Sequence, residues 1–325
     1  MQQLTIDHLQ QQIKAALEAA GATSAMAEST ARALALAQAQ GHVGHGLSRV
    51  AQYVTQLKNG RVNGQAQPTI KHQKGATLVI DADEGLAFPA CDLAISEGIK
   101  VARAQGVALV GITNSHHCGV MVNHLRAAGD AGMIGLAFSN SPAAMPAPGG
   151  RKPLFGTNPI AALFPRKDKL PVCIDLSLSE VARGKVMFAA QNGQSIPAGW
   201  AVDQNGQPTT DAQAALAGAM LPIGALTSHK GALLAMVVEL LVTTLVGANF
   251  GFQADSFFEA EGNRPRLGQL FILIDPGAMA GHAFYYSHLE RLLTEMLDDP
   301  EVRLPGYRRH AIEADAQANG ITLGN

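Results

Sequence analysis

The chain has 325 residues, 47% hydrophobic, 15% charged and 5% aromatic, with a formal net charge of −2. That length suits one large or two ordinary domains whose core stands without disulfides or metal staples. The balanced charge excludes a nucleic-acid or anionic-membrane footprint, and Cys91, Cys118 and Cys173, without CxxC spacing, read as reduced thiols of a cytoplasmic protein.

The first sixty residues read as helices. Asp7 with Gln10 caps the first, in which Leu9, Ile13 and Leu17 recur before Gly21. A second starts at Thr23 or Ser24 and carries Ala27, Ala31 and Leu34 to Gly41. A third presents Val50, Tyr53, Val54 and Leu57 and ends at Gly60. Residues 60–75 are polar and read as a connection. Beyond it, strands are predicted at 77–81, 107–113, 133–138, 159–164, 172–176 and 270–274. Helices are predicted at 90–104, 120–131, 180–191, 233–247, 284–296 and 311–317. Residues 1–5 lack a basic start followed by an apolar block, so no secretory signal is expected. The apolar run 231–250 is long enough to resemble a membrane span, but Glu239 sits at its middle. A charge there costs roughly 2.5–3.5 kcal/mol, so a helix buried in a core or subunit interface is the better reading. The pattern is α/β (α+β), but no strand is followed by GxGxxG, which argues against a plain dinucleotide-binding doubly wound sheet.

Several polar clusters interrupt these elements. His45 and Arg49 lie four apart at the entry to the third helix; a planar guanidinium grips a carboxylate and an imidazole moves a proton near neutral pH. A helix-entry His beside a surface Arg would use the same spacing. Asn114 to Gly119 closes a predicted strand, where ligands commonly bind. Zinc is not expected there, because His117 and His124 are seven apart and no second Cys is near. Pro148 to Pro159 reads as a rigid loop containing Thr157, either substrate-facing or a plain structural turn. Asp175-Leu176-Ser177 leading to Arg183-Gly184-Lys185, His229-Lys230 before a long apolar helix, and Arg303 to Arg309 each combine cations with turn residues suited to anions. Solvated surface side chains would also explain Lys230 and the Arg303–Arg309 segment.

In order along the chain, His45-Gly46-Leu47-Ser48-Arg49, Ser115 to Gly119, Pro148-Gly149-Gly150 and Leu154 to Ile160 resemble the type 2 malate/L-lactate dehydrogenase family of NAD(P)-dependent oxidoreductases. Asp175 to Ser177, Ala182 to Lys185, Asp275-Pro276-Gly277 and Leu304-Pro305-Gly306 continue the resemblance. That family also holds sulfolactate dehydrogenases and Δ1-pyrroline-2-carboxylate/Δ1-piperideine-2-carboxylate reductases. The resemblance implies a non-Rossmann cofactor domain on a largely antiparallel sheet (residues 76–283), a helical domain from both chain ends (1–75 with 284–325), and a homodimer. It implies catalytic His45, substrate contacts from Arg49 and Thr157, and NADP or NAD, with NADPH favoured, as cofactor. Cofactor contacts fall on His117, Cys118, Gly119, Val120, Met121, Asp175, Leu176, Ser177, Arg183, Gly184, His229, Lys230, Arg303, Leu304, Pro305, Gly306, Tyr307, Arg308 and Arg309; no metal is implied. The expected reaction is hydride transfer to C2 of a small 2-oxo acid, with cyclic 2-imino acid reduction to proline or pipecolate as the alternative. Gly44 stands where many members have Ser, Lys185 where cyclic-imine reductases often carry an acid, and Cys118 where Phe is common.

Overall fold

A computed structural model describes residues 2–323. Seven strands form the main sheet: β1 (Thr69–Lys74), β2 (Thr77–Asp81), β3 (Val107–Ser115), β4 (Ile134–Ser139), β5 (Ile160–Arg166), β6 (Lys169–Leu176) and β7 (Leu267–Ile274). Their spatial order is β1-β2-β3-β7-β4-β5-β6, and only β2 and β3 run parallel. The central strand β7 is an almost unbroken apolar run because both of its faces are covered. Helix α4 (Ala87–Gln105) lies on one face, where Gly98 lets it approach Leu273 and Val110. On the other face Val242 and Val246 pack on Leu270.

The chain ends meet. Helices α1 (Ile6–Ala19) and α2 (Ser24–Ala39) share a core with Tyr53 and Leu57 of α3 (Val50–Lys58) and with Ala316 and Ile321 near the C-terminus. Residues 2–4 pair antiparallel with 321–323, closing the loop of chain. Thr5 and Thr23 cap α1 and α2 through their hydroxyls. The remaining long helices are α5 (Arg183–Gln191), α6 (Lys230–Val242), α7 (His282–Leu297) and α8 (Tyr307–Asn319).

Some expectations shift. The polar connection at 60–75 contains β1, whose six residues are all exposed, as suits an edge strand carrying Lys71 and Lys74. The helix predicted over 120–131 breaks at Leu125 into two short turns. His45 and Arg49 stand not on an extended α3 but on consecutive 3₁₀ turns, Val43–His45 and Leu47–Arg49. Gly46 between them is forced by contact: a Cβ there would come within 2.5 Å of Gln38 Oε1, which accepts the Leu47 N–H. The apolar run yields only the 13 residues of α6, which stops where the Thr243 and Thr244 hydroxyls donate back to the Glu239 and Leu240 carbonyls. Among the described residues no helix is long and apolar enough to cross a membrane.

Glu239, the charge in that run, is 3% exposed. Its carboxylate accepts the Gly251 N–H at 2.7 Å and the side-chain amides of Asn158 at 2.8 Å and Asn140 at 3.5 Å. Burial raises its pKa while these donors hold it down. One side chain thus ties α6 to the end of β4, to the turn before β5 and to the segment after residue 250. Each buried donor stranded without an acceptor costs about 1–3 kcal/mol, so Glu239→Ala is expected to lose at least about 3 kcal/mol in urea unfolding, with Glu239→Gln losing less. A loss below about 1 kcal/mol for the alanine variant would contradict this role.

Candidate active site

The two 3₁₀ turns place His45 and Arg49 on one wall of a cavity of about 490 Å³. Arg49 is half-buried and pre-set: Nε donates to the Gly44 carbonyl and Nη1 to Gln52 Oε1, each at 2.7 Å, while the guanidinium lies 5.0 Å from the Phe258 ring centroid. Nη2 is left without an acceptor among the described residues, on the cavity wall. The imidazole of His45 stacks on that of His117 with centroids 5.5 Å apart. Burial by the surrounding wall, then the nearby Arg49 and His42, pull the His45 pKa down to about 4. It is therefore a neutral base in the free protein. His42, beside it, is held at about 4 by burial and by Arg309 and Arg308.

Thr157 lines the same cavity, and its N–H donates to Ser141 Oγ at 3.0 Å. The next residue, Asn158, is fully buried with φ +40°, a conformation costly outside glycine. Its amide holds that turn by donating to the Ala235 carbonyl and to Glu239, both at 2.8 Å. Asp175, at the end of β6, accepts the Val122 N–H at 3.1 Å and pairs with Arg309 at 3.6 Å. Burial raises its carboxyl pKa against those two stabilising contacts.

Of the residues singled out from sequence, His45, Arg49, His117, Cys118, Gly119, Val120, Met121, Thr157, Asp175, Ser177, Arg183, Gly184 and Arg309 line this cavity together. Asp175, Arg309 and His42 also line an adjoining crevice of about 510 Å³ with Arg303, Leu304, Gly306, Tyr307 and Arg308. Pro305 packs behind it, its carbonyl accepting the Cys173 N–H. Leu176, His229 and Lys230 are exposed and line neither space. The cavity opens on its other side into a wider mouth shared by His45 and Arg49, where Lys185, Phe188 and Trp200 stand. Among the described residues no cluster of His, Cys, Asp or Glu could hold a metal. His117 Nδ1 is instead bonded to Tyr53, and His124 Nε2 to the Cys118 carbonyl.

The cavity and the crevice share His42, Asp175 and Arg309, and with Arg303 and Arg308 the crevice carries three arginines suited to anionic groups. The sequence reading missed His42, Ser139 to Pro142, Phe257 and Phe258, which also line the cavity. The Ser139-Asn140-Ser141-Pro142 run directly after a predicted strand was a usable signal, since strand ends carry ligands. The two phenylalanines sit in a loop with no periodicity to betray them.

A family model for malate/L-lactate dehydrogenases matches residues 4–325. The chain is 47% identical to (2R)-3-sulfolactate dehydrogenase (NADP(+)) of Chromohalobacter salexigens over 93% of its own length and 89% of that protein. It is 38% identical to a Δ1-pyrroline-2-carboxylate/Δ1-piperideine-2-carboxylate reductase of Pseudomonas syringae pv. tomato, over 93% and 88%. The crystal structure of Δ1-piperideine-2-carboxylate reductase from the same pathovar superposes with a TM-score of 0.93 at 35% identity, covering 100% of this chain and 97% of that one.

His116 differs from its neighbour His117. It is turned into the core, 1% exposed, with neither ring nitrogen bonded to protein, and burial followed by Arg61 lowers its pKa to about 3. In the unfolded chain a histidine titrates near 6.5, so below that pH the unfolded state takes up the proton first and stability falls. The expected slope from this residue is about 1.4 kcal/mol per pH unit between pH 6 and 4. Urea unfolding at pH 6 and 5 should show a smaller acid loss in His116→Gln than in the unaltered protein; equal losses would refute the assignment.

Proposed function

This chain belongs to the malate/L-lactate dehydrogenase family, and its members here are oxidoreductases. We propose that it reduces a small 2-oxo acid to the 2-hydroxy acid with NADPH, reversibly. The observation that carries this reading is that His45, Arg49 and Thr157, distant in sequence, line one cavity. When bound, the cofactor supplies hydride from its nicotinamide ring to C2 of the acid. Arg49 would hold the substrate carboxylate with the nitrogen its own contacts leave open, fixing the carbonyl carbon by positioning. His45 would give a proton to the carbonyl oxygen as it becomes a hydroxyl, and take it back in the reverse direction. A carboxylate paired with Arg49 removes part of the repulsion that keeps His45 neutral, so substrate binding favours loading the proton. General acid–base catalysis of this kind contributes about 10²- to 10⁴-fold. Thr157 would orient the acid from the same cavity lining. The NADP(+) cofactor of the sulfolactate dehydrogenase relative, together with Arg303, Arg308 and Arg309 in the adjoining crevice, supports NADPH over NADH.

The same reading includes a homodimer. Leu233, Leu234, Met236, Val237 and Leu240 of α6 are 41–52% exposed, a continuous apolar surface unusual for a lone chain. It also takes residues 1–75 with 284–325 as a helical unit, except that β1 joins the main sheet, and 76–283 as the cofactor unit, with a cytoplasmic setting in keeping with three unpaired cysteines.

Cyclic 2-imino acid reduction is the second reading, favoured by the 0.93 TM-score match to the piperideine-2-carboxylate reductase. Against it, no acidic side chain stands at position 185: Lys185 lines the mouth beside His45 and Arg49 instead. The decisive experiment follows NADPH oxidation with pyruvate, oxaloacetate, sulfopyruvate and Δ1-pyrroline-2-carboxylate in parallel, repeated with NADH. The expected result is the highest kcat/KM for a 2-oxo acid with NADPH. A higher value for the cyclic imine would reverse the assignment.

A further inference from the structure

Tyr53 has read so far as a core residue of α3. It is fully buried, edge-on to Phe88 and to His116 with ring centroids 6.1 and 6.0 Å away. Its hydroxyl has one partner among the described residues, Nδ1 of His117 at 2.6 Å. Burial decides the direction of that bond. If His117 carried its proton on Nδ1, Tyr53 would have to accept, and its own hydroxyl hydrogen would be stranded in the core without an acceptor. With Tyr53 donating, its buried hydroxyl hydrogen is paired, and the imidazole's remaining proton lies on the other ring nitrogen of a residue that lines the cavity. A neutral imidazole that accepts at Nδ1 carries its proton at Nε2. Burial, then Arg49 and His45, keep His117 neutral, which leaves Nδ1 free to accept.

His117 lines the cavity, its ring within 18° of parallel to that of His45 and edge-on to Phe257 with centroids 5.3 Å apart. No side chain or carbonyl among the described residues accepts from its Nε2. We propose that Tyr53 is a positioning residue: it locks His117 in the Nε2–H tautomer, so that His117 presents one fixed N–H donor to a carbonyl oxygen bound beside His45. That carbonyl belongs either to the 2-oxo acid or to the carboxamide of the nicotinamide. The consequence for turnover rests on the reduction proposed above; the tautomer does not.

Neutron crystallography of the deuterated, ligand-free protein reads the tautomer directly. The expected map has a deuteron on His117 Nε2, none on Nδ1, and the Tyr53 hydroxyl deuteron aimed at Nδ1. A deuteron on Nδ1 overturns the proposal whatever the enzyme does. The second arm uses Tyr53→Phe, which keeps the ring and removes the hydroxyl. The expected effect is a loss of about tenfold, the equivalent of one ordinary hydrogen bond. If the loss is in kcat, with the NADPH Kd from fluorescence titration unchanged, the donor meets the acid's carbonyl. If it is in that Kd, the donor meets the carboxamide. Wild-type kcat and Kd together overturn the proposed role. Unaltered protein that turns over no acid in the substrate panel refutes the reduction instead, and the neutron map still decides the tautomer.

Discussion

The site depends on a carboxylate placed where the sequence is most apolar. Glu239 sits inside α6 and is one of few charges the fold buries. Its two oxygens receive donors from the segment after β4, from the turn carrying Thr157 and Asn158, and from Gly251. Those segments line the same cavity as His45 and Arg49. Asn158 keeps its positive φ because Glu239 and the Ala235 carbonyl hold its side chain. Without that anchorage Thr157 would lose its fixed place in the cavity lining. A group that counts against a membrane span is also the one that organises this part of the cavity.

The electrostatics of the cavity follow the same economy. A net charge of −2 hides an uneven distribution. Arg49 and Arg183 line the cavity, and Arg303, Arg308 and Arg309 the crevice beside it, against the single carboxylate of Asp175. Four histidines sit among or behind these cations, and burial with like charge holds His42, His45, His116 and His117 neutral. The cavity lining is thus short of anionic side chains and rich in neutral imidazole, a composition matched to ligands that bring carboxylate and phosphate with them.

The larger elements were legible because burial imposes period. Leu9, Ile13 and Leu17 mark α1, and the apolar runs at 107–113 and 270–274 mark the two central strands. Strand β1 was not, since an edge strand exposed at all six residues has no pattern to show. The His–Arg spacing pointed to a shared pocket, which the structure supplies, but through 3₁₀ turns pinned by Gly46 against Gln38 and not through a longer α3. Tyr53 looked like one more member of a helical stripe; its hydroxyl partner lies 64 residues away, a relation no local pattern carries. Phe257 and Phe258 escaped for the same reason.

In the proposed reduction His45 transfers the proton while Arg49 and Thr157 bind and orient the acid. The most direct measurement compares His45→Gln with the unaltered protein in single-turnover reduction of the best 2-oxo acid, alongside NADPH affinity by fluorescence titration. The account predicts an unchanged NADPH Kd and a rate at least about a hundredfold lower, the smaller end of what general acid catalysis supplies. A rate within about threefold of the unaltered protein, at saturating acid and cofactor, would contradict it.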